Sequence, residues 1–254
     1  MPPIIWTRCA ARAEIGRLEA RPWRVVEAQH LVSTRKLVDS DAEQQLLEEL
    51  IERAKPPLPP EPELQRLHYL LLTPFRYPPL RHGSRFGTRA ERGIWYGAEE
   101  LVTAFAEAAY YRLFFLEGSR AALEPVMGDV SAFRVRVLTE RGVDLTREPF
   151  AAFAAEISSP VSYETSQQLG RDLRAAEVEA FRYRSARSLE GGANFGLFTA
   201  RAFASRRPEP PGTWYCVATR GAVEFSRRDV FAHQAHRFPR EQFEVGGVLP
   251  APAA

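Results

Sequence analysis

The sequence predicts an α+β domain, a compact mixed sheet with flanking helices. Two observations carry that prediction. Short strand-like runs recur between residues 93 and 225, separated by a few helical stretches, and they do not form a regular βαβ array. In addition, 45% of the 254 residues are hydrophobic and 26% charged, enough to close one sizeable core. The same composition excludes dominant disorder. No uninterrupted apolar run approaches the roughly 18 residues of a membrane helix. The opening MPPIIWTRCAARAE lacks the apolar segment of a secretory signal, so the expectation is a cytoplasmic protein. With only Cys9 and Cys216, a disulfide scaffold is excluded and a thiolate zinc site is disfavoured.

Each element follows from its local pattern. Ser40 and Glu43 form an S-x-x-E capping box, and Leu46, Leu47, Leu50 and Ile51 then make one apolar stripe opposite Glu48, Glu49 and Glu52. That helix is expected to pack on the main body or on a partner. Lys55–Pro62 carries five prolines in eight residues and reads as an extended linker. The predicted organisation is therefore a helical extension over 1–55, a proline-rich linker over 56–63 and a main domain over 64–250, with a frayed tail from Gly246 onward.

Within the main domain, Leu67–Thr73 reads as a buried strand stopped by Pro74, and Gly93–Gly97 as a short aromatic strand. Glu99–Leu116 reads as a long helix. Ser131–Leu138 alternates Phe133, Val135 and Val137 with Arg134 and Arg136, a half-buried strand. Glu148–Ala155 and Tyr163–Ala175 read as helices, and Glu179–Tyr183, Gly196–Phe198, Thr213–Ala218 and Ala222–Phe225 as strands.

Charge is informative in its distribution. The net charge is +2 with a pI of about 8.6, below the range of a dedicated nucleic-acid domain. All but two of the 34 basic residues are arginine. Six arginines fall between Arg66 and Arg92 against the single acid Glu91, whereas residues 1–63 are net negative. A local excess of planar, bidentate cations suits a phosphate-bearing ligand, and equally a solvated face.

Familiar catalytic signatures are missing. There is no G-x-x-x-x-G-K-[ST], no G-x-G-x-x-G after a strand, no G-x-S-x-G and no H-E-x-x-H. His233 and His236, near Asp229, could share a helix face as metal ligands but read more simply as an exposed pair, and no metal is expected. The unusual element is LVTAFAEAAYYRLFFL, residues 101–116, which is apolar on almost every side. Glu107 and Arg112 are its only charges. A carboxylate in that setting is either a structural ion pair or a functional group facing a cleft. Upstream stand Thr73-Pro74-Phe75-Arg76-Tyr77, Gly83-Ser84-Arg85-Phe86-Gly87 and Gly93-Ile94-Trp95-Tyr96-Gly97. A cationic loop, an aromatic strand and a buried carboxylate suit a nucleotide with a phosphate, a flat ring and a sugar carbon that can develop positive charge.

These segments, TPFRYPPLRHGSRFGT and GIWYGAEELVTAFAEAAYYR, resemble the start of a RES domain, a family named for its Arg, Glu and Ser. A second block agrees: Tyr163-Glu-Thr-Ser-Gln-Gln-Leu-Gly-Arg, Phe181-Arg-Tyr-Arg-Ser185-Ala-Arg and Gly192-Ala-Asn194-Phe-Gly-Leu-Phe198. The resemblance spans about residues 65–205. It places the motif arginine on Arg85, with Arg76 as a second, the aromatic on Tyr96, the glutamate on Glu107 and the serine on Ser185. Tyr77 and Asn194 are further candidates for NAD⁺ contacts. Arg184 departs from the proline that many members carry before the serine. The resemblance implies a fold similar to ADP-ribosyltransferase toxins, cleavage of the nicotinamide–ribose bond of NAD⁺, and an Xre-like helix-turn-helix antitoxin as partner. On that reading Glu107 stabilises an oxocarbenium-like transition state, Tyr96 orients the nicotinamide, Arg85 and Arg76 hold the pyrophosphate, and Ser185 bonds the carboxamide or a ribose hydroxyl. The acceptor, whether water, phosphate or a protein side chain, stays open. The alternatives are an ADP-ribosyltransferase acting on a protein target, an RNA-directed toxin or nucleic-acid-binding protein using the Arg66–Arg92 stretch, and a non-catalytic interaction protein built on a decayed scaffold.

Overall fold

The structure, a computed structural model, describes residues 5–28, 37–79, 82–121, 123–228 and 233–251. Among these residues ten strands form one sheet: β1 (Gly16–Ala20), β2 (Trp23–Glu27), β3 (Trp95–Ala98), β4 (Val126–Arg134), β5 (Val137–Asp144), β6 (Ala180–Arg184), β7 (Ala193–Leu197), β8 (Gly212–Ala218), β9 (Ala222–Arg228) and β10 (His233–Pro239). Their spatial order is β1-β5-β6-β7-β3-β2-β4-β8-β9-β10. Every neighbouring pair is antiparallel except β5 and β6, which makes the sheet mixed. Four longer helices flank it: α1 (Asp41–Ala54), α2 (Tyr69–Arg76), α3 (Leu101–Gly118) and α4 (Glu164–Ala175).

Three apolar clusters hold these layers together. Leu169 and Leu173 of α4 pack with Phe86, Val143, Phe181 and Tyr183 on one sheet face. Phe105, Ala109, Tyr110 and Leu113 of α3 pack with Val130, Trp214, Cys216 and Phe225. Leu71 and Phe75 of α2 pack with Trp95, Phe133, Phe195 and Leu197. Each fully buried Leu or Phe contributes roughly 1.5–3 kcal/mol against exposure. Register then sets which side chains share a face. Tyr96 is opposite Gly196, Ala98 opposite Asn194, and Asn194 opposite Tyr183, so Tyr96, Asn194 and Tyr183 all project from one face of β3, β7 and β6.

Several sequence expectations need correction. Residues 69–76 are helical where Leu67–Thr73 reads as a strand, because a short, continuous apolar run suits a buried helix and a buried strand alike. His68 caps this helix, its Nδ1 accepting from the Leu70 N–H at 3.3 Å. Ser131–Leu138 is divided between β4 and β5, with Val135 and Arg136 at the break. Glu148–Ala155 becomes a short 3₁₀ turn, Phe150–Phe153, followed by one helical turn, Ala154–Ile157. His233 and His236 lie on β10, a strand, and not on a helix. Asp229 and His30 lie outside the described residues.

The N-terminal segment is not a helical extension. β1 pairs with β5, and β2 lies in the middle of the sheet between β3 and β4. The Ser40 cap of α1 is present, its side chain accepting from the Glu43 N–H, while the Glu43 carboxylate reaches past the cap residue to accept from the Asp39 N–H. Its stripe, however, is not buried: Leu46 is 57% and Leu50 52% exposed. Helix α3 also departs from all-round burial, with Phe115 60% exposed and Tyr111 open to solvent. The tail packs back on the body: the Pro250 carbonyl accepts from the buried Tyr110 hydroxyl at 2.6 Å, and Leu249 is buried. Gly246 and Gly247, at φ 62 and 78, make the turn that returns the chain to the body.

Candidate active site

A cavity of about 270 Å³ opens between α3, the Tyr96–Asn194–Tyr183 face of the sheet, the Arg85 loop and β2. Its aromatic walls are Trp23, Tyr96, Tyr111, Tyr163 and Tyr183, and its charged lining residues are Arg24, Arg85 and Glu107.

Glu107 is placed by α3, one turn after Thr103 and one turn before Tyr111. Its Oε1 accepts from Ser185 Oγ at 2.7 Å and from Asn194 Nδ2 at 2.6 Å. Among the described residues it forms no ion pair, and its Oε2 takes no hydrogen bond. The other charges of the helix are paired elsewhere, Arg112 with Glu27 and Glu117 with Arg240. The carboxylate is thus pinned by one oxygen and offers the other.

Ser185 is fully committed. Its oxygen accepts the Arg187 N–H at 3.1 Å and the Ser188 N–H at 3.2 Å, which leaves its single proton for Glu107. Ser185 is buried and is not among the cavity-lining residues. The expectation that it bonds substrate directly is therefore revised: it orients Glu107. Asn194 spends its amide N–H on Glu107, and its buried Oδ1 has no partner. That oxygen is an unpaired acceptor buried beside the cavity that Asn194 lines.

The Arg85 loop is locked from three sides. Gly83 sits at φ 69, where a Cβ would fall 2.2 Å from the Gly87 carbonyl oxygen. The buried Gln167 of α4 donates its amide to the carbonyls of His82 and Ser84 at 3.2 and 3.1 Å. Gly170 lets the same helix approach Phe86, whose carbonyl oxygen would lie 2.0 Å from a Cβ there. Arg85 itself is 7% exposed, donates Nη1 to the Ser159 carbonyl at 2.7 Å and lies 4.8 Å from the Tyr163 ring centroid. Among the described residues no carboxylate neutralises it.

Tyr96 closes the loop from the sheet side. Its hydroxyl shares a 3.0 Å hydrogen bond with Ser84 Oγ and accepts the Phe86 N–H at 3.1 Å. Burial pushes its phenol up to about 12, partly opposed by those two hydrogen bonds. Tyr183, edge-on to Tyr96 at 6.4 Å, is raised well above the ordinary tyrosine range by the same cause. Both rings are neutral, apolar walls at any ordinary pH.

Of the residues singled out from sequence, Arg85, Tyr96, Glu107 and Asn194 line the cavity, and Ser185 stands directly behind Glu107. Arg76 and Tyr77 do not reach it. Because residues 69–76 are helical, Arg76 turns toward the proline-rich linker, where it donates to the Pro56 carbonyl at 2.7 Å and pairs with Glu52 at 3.0 Å. Tyr77 ends α2 with its N–H on the Thr73 carbonyl and its ring exposed. The Arg66–Arg92 cluster is correspondingly not one basic face: Arg92 pairs with Glu61, Arg76 with Glu52, and Arg85 points inward. Arg24, Tyr163 and Gln167 had not been singled out. The signal for β2 was present in Trp23-Arg-Val-Val, an aromatic and β-branched run after Arg21-Pro22.

The RES domain family model matches residues 60–217. The chain belongs to the RES domain family. Its RES match includes Arg85, Tyr96, Glu107, Ser185 and Asn194 and excludes β1 and β2. Among solved structures, a chain of the M. tuberculosis MbcT–MbcA toxin–antitoxin complex is similar at a TM-score of 0.48 and 12% identity, over 82% of this RES protein and 88% of that chain. No curated protein matches the sequence. Among the described residues, no helix of this RES protein is long and apolar enough to cross a membrane.

Proposed function

We propose that this RES protein is a toxin that depletes NAD⁺ by cleaving its nicotinamide–ribose bond, held in check by a helix-turn-helix antitoxin. The observation that carries this reading is the pinned Glu107 carboxylate, with one oxygen free, in a cavity walled by aromatics and un-neutralised guanidinium groups. Family membership supports it.

The chemistry follows from the roles. The C1′–N bond breaks and its electron pair leaves with nicotinamide, which becomes neutral. The ribose C1′ gains positive charge, and Glu107 Oε2 stabilises it or holds the ribose hydroxyls. An acceptor oxygen then bonds to C1′ and releases a proton: water gives ADP-ribose, and phosphate gives its 1′-phosphate. Tyr96 stacks on the nicotinamide, Asn194 Oδ1 accepts from a substrate donor, and Arg85 holds the pyrophosphate.

Purified protein incubated with NAD⁺, with and without phosphate, should release nicotinamide, and the partner product identifies the acceptor. Expression of the wild-type gene should arrest a bacterial host, and the Glu107→Gln gene should not. Arrest that persists with Glu107→Gln while cellular NAD⁺ is undiminished would transfer the case to an RNA-directed toxin.

A further inference from the structure

Arg187 stands two residues after Ser185 and has no part in the chemistry above. It is 3% exposed, the lowest of any charged side chain among the described residues, and within that set it forms no ion pair. Its guanidinium carbon lies 3.5 Å from the centre of the Tyr110 ring, and Nη2 donates to the Pro160 carbonyl at 3.1 Å. Tyr110 is itself fixed, fully buried with its hydroxyl on the Pro250 carbonyl. The buried Nη1 of Arg187 has no partner. A buried cation without a counter-ion is costly, and an apolar side chain of similar volume would fill the same space without that cost. Stability alone does not favour arginine here.

The contacts of Arg187 run toward both functional groups of the cavity. On the Glu107 side, its side chain anchors the turn whose Arg187 and Ser188 N–H groups occupy the Ser185 oxygen and leave the Ser185 proton for the carboxylate. The Arg187 carbonyl accepts from Gln242 Nε2 at 3.0 Å, which fixes the same turn from the C-terminal segment. On the other side, the Pro160 carbonyl that takes the Arg187 guanidinium directly follows the Ser159 carbonyl that takes Arg85 Nη1. Ser158 closes the circuit: its Oγ donates to the Arg184 carbonyl at 2.7 Å, one residue before Ser185. The connecting segment is stiff. Pro160 fixes its own φ and confines Ser159, and Ser159 Oγ accepts the Val161 and Ser162 N–H groups at 3.3 and 3.2 Å.

We propose that Arg187 is a positioning residue that couples Arg85 to Glu107. Through Pro160 it fixes the segment that holds Arg85, and through the Ser185 turn it fixes the hydroxyl that orients Glu107, so the cation and the carboxylate keep one spacing across the cavity. Arg187 is not among the cavity-lining residues and acts only through these neighbours. The reaction it serves rests on the NAD⁺ reading; the coupling of the Arg85 anchor to the Ser185 turn does not. Lysine keeps the charge over Tyr110 but not the planar stack together with the Pro160 bond, so it restores part of the role.

The test compares the full-length wild type with Arg187→Met, Arg187→Lys and Leu71→Ala, a control that loosens the α2 core instead, each at a temperature where thermal unfolding shows it folded. With NAD⁺, Arg187→Met should both raise KM and lower kcat, with kcat/KM down roughly 10- to 100-fold, and Arg187→Lys should recover part of each. Because kcat responds through Ser185, Arg187→Met should add little to the kcat loss of Ser185→Ala, while KM still rises. A readout free of NAD⁺ is the labelling of Arg85 by phenylglyoxal, followed by peptide mass mapping. It should speed up several-fold in Arg187→Met and keep the wild-type rate in Leu71→Ala. If Arg187→Met does not fold, Ser158→Ala loosens the same bridge from its exposed end and should lower kcat/KM roughly 2- to 10-fold, with faster Arg85 labelling. Arg85 labelling unchanged in these variants, kcat losses that multiply with Ser185→Ala, or an Arg187→Met enzyme no different from Leu71→Ala overturns the assignment. A wild type that leaves NAD⁺ intact rejects the NAD⁺ reading alone, and the Arg85 labelling then decides the positioning role.

Discussion

Glu107→Gln is the sharpest perturbation this site allows. Both groups bonded to Glu107 Oε1, the Ser185 hydroxyl at 2.7 Å and the Asn194 amide at 2.6 Å, are donors. A glutamine can present its carbonyl oxygen to both, which forces its NH₂ into the position of Oε2. Volume and anchoring are kept, so the fold should be unchanged; what goes is the negative charge that the proposed NAD⁺ cleavage sets against the sugar. A carboxylate about 4 Å from a developing cation is worth roughly 4 kcal/mol at an effective dielectric near 20, and only about 1 kcal/mol in bulk water. The half-buried, aromatic-walled position of Glu107 selects the larger figure. The turnover should therefore fall about a thousandfold. The assay is nicotinamide release from NAD⁺ under saturating substrate, beside thermal unfolding of both proteins. A folded Glu107→Gln enzyme within tenfold of wild type would refute the charge-stabilisation argument.

Three further outcomes are expected. Arg85→Lys keeps the charge but loses the planar fork and the Ser159 carbonyl contact at 2.7 Å, so kcat/KM for NAD⁺ should drop about 10- to 100-fold, mainly through KM. Gln167→Leu removes the amide donor from the His82 carbonyl and leaves the Ser84 carbonyl only the Gly87 N–H, which should cost about 1–3 kcal/mol and lower Tm by roughly 2–10 °C in differential scanning calorimetry. The third concerns alkaline stability. Burial holds Tyr96 and Tyr110 neutral up to about 12, whereas unfolded tyrosines ionise near 10. Their contribution is thus complete below pH 10 and is lost as pH rises toward 12, because there the unfolded state binds fewer protons. Denaturant melts of the wild type should weaken by a few kcal/mol across that window, and Tyr96→Phe should weaken less; parallel curves would contradict the assignment.

The candidate site was largely legible because its signals are local. A lone carboxylate in the apolar run 101–116, an arginine between Gly83 and Gly87, and an aromatic strand before the helix are each written within a few residues, and all three line one cavity. Arg76 and Tyr77 were misplaced for one reason: an apolar run of seven residues does not say whether it is helix or strand, and the helical answer turns Arg76 toward Glu52 and Pro56. The role of Ser185 was legible as a position and not as a contact, since its hydroxyl meets Glu107 across 78 residues of chain.

By itself the sequence determined the mixed α+β class, the capped start of α1, the long helix carrying Glu107, and the residue types that meet at the site. Only tertiary structure decided that β1 and β2 are strands of the common sheet, that α1 leaves Leu46 and Leu50 in solvent, and that Arg24 joins Arg85 at the cavity. The physical reason is the range of the interactions. Capping and apolar periodicity act within a turn or two of a residue, so composition and spacing report them. Strand order, counter-ions and exposure depend on which distant segments close against each other. For Arg24 that closure is the insertion of β2 between β3 and β4, which seats a cation beside Tyr96 with no acid among the described residues to neutralise it.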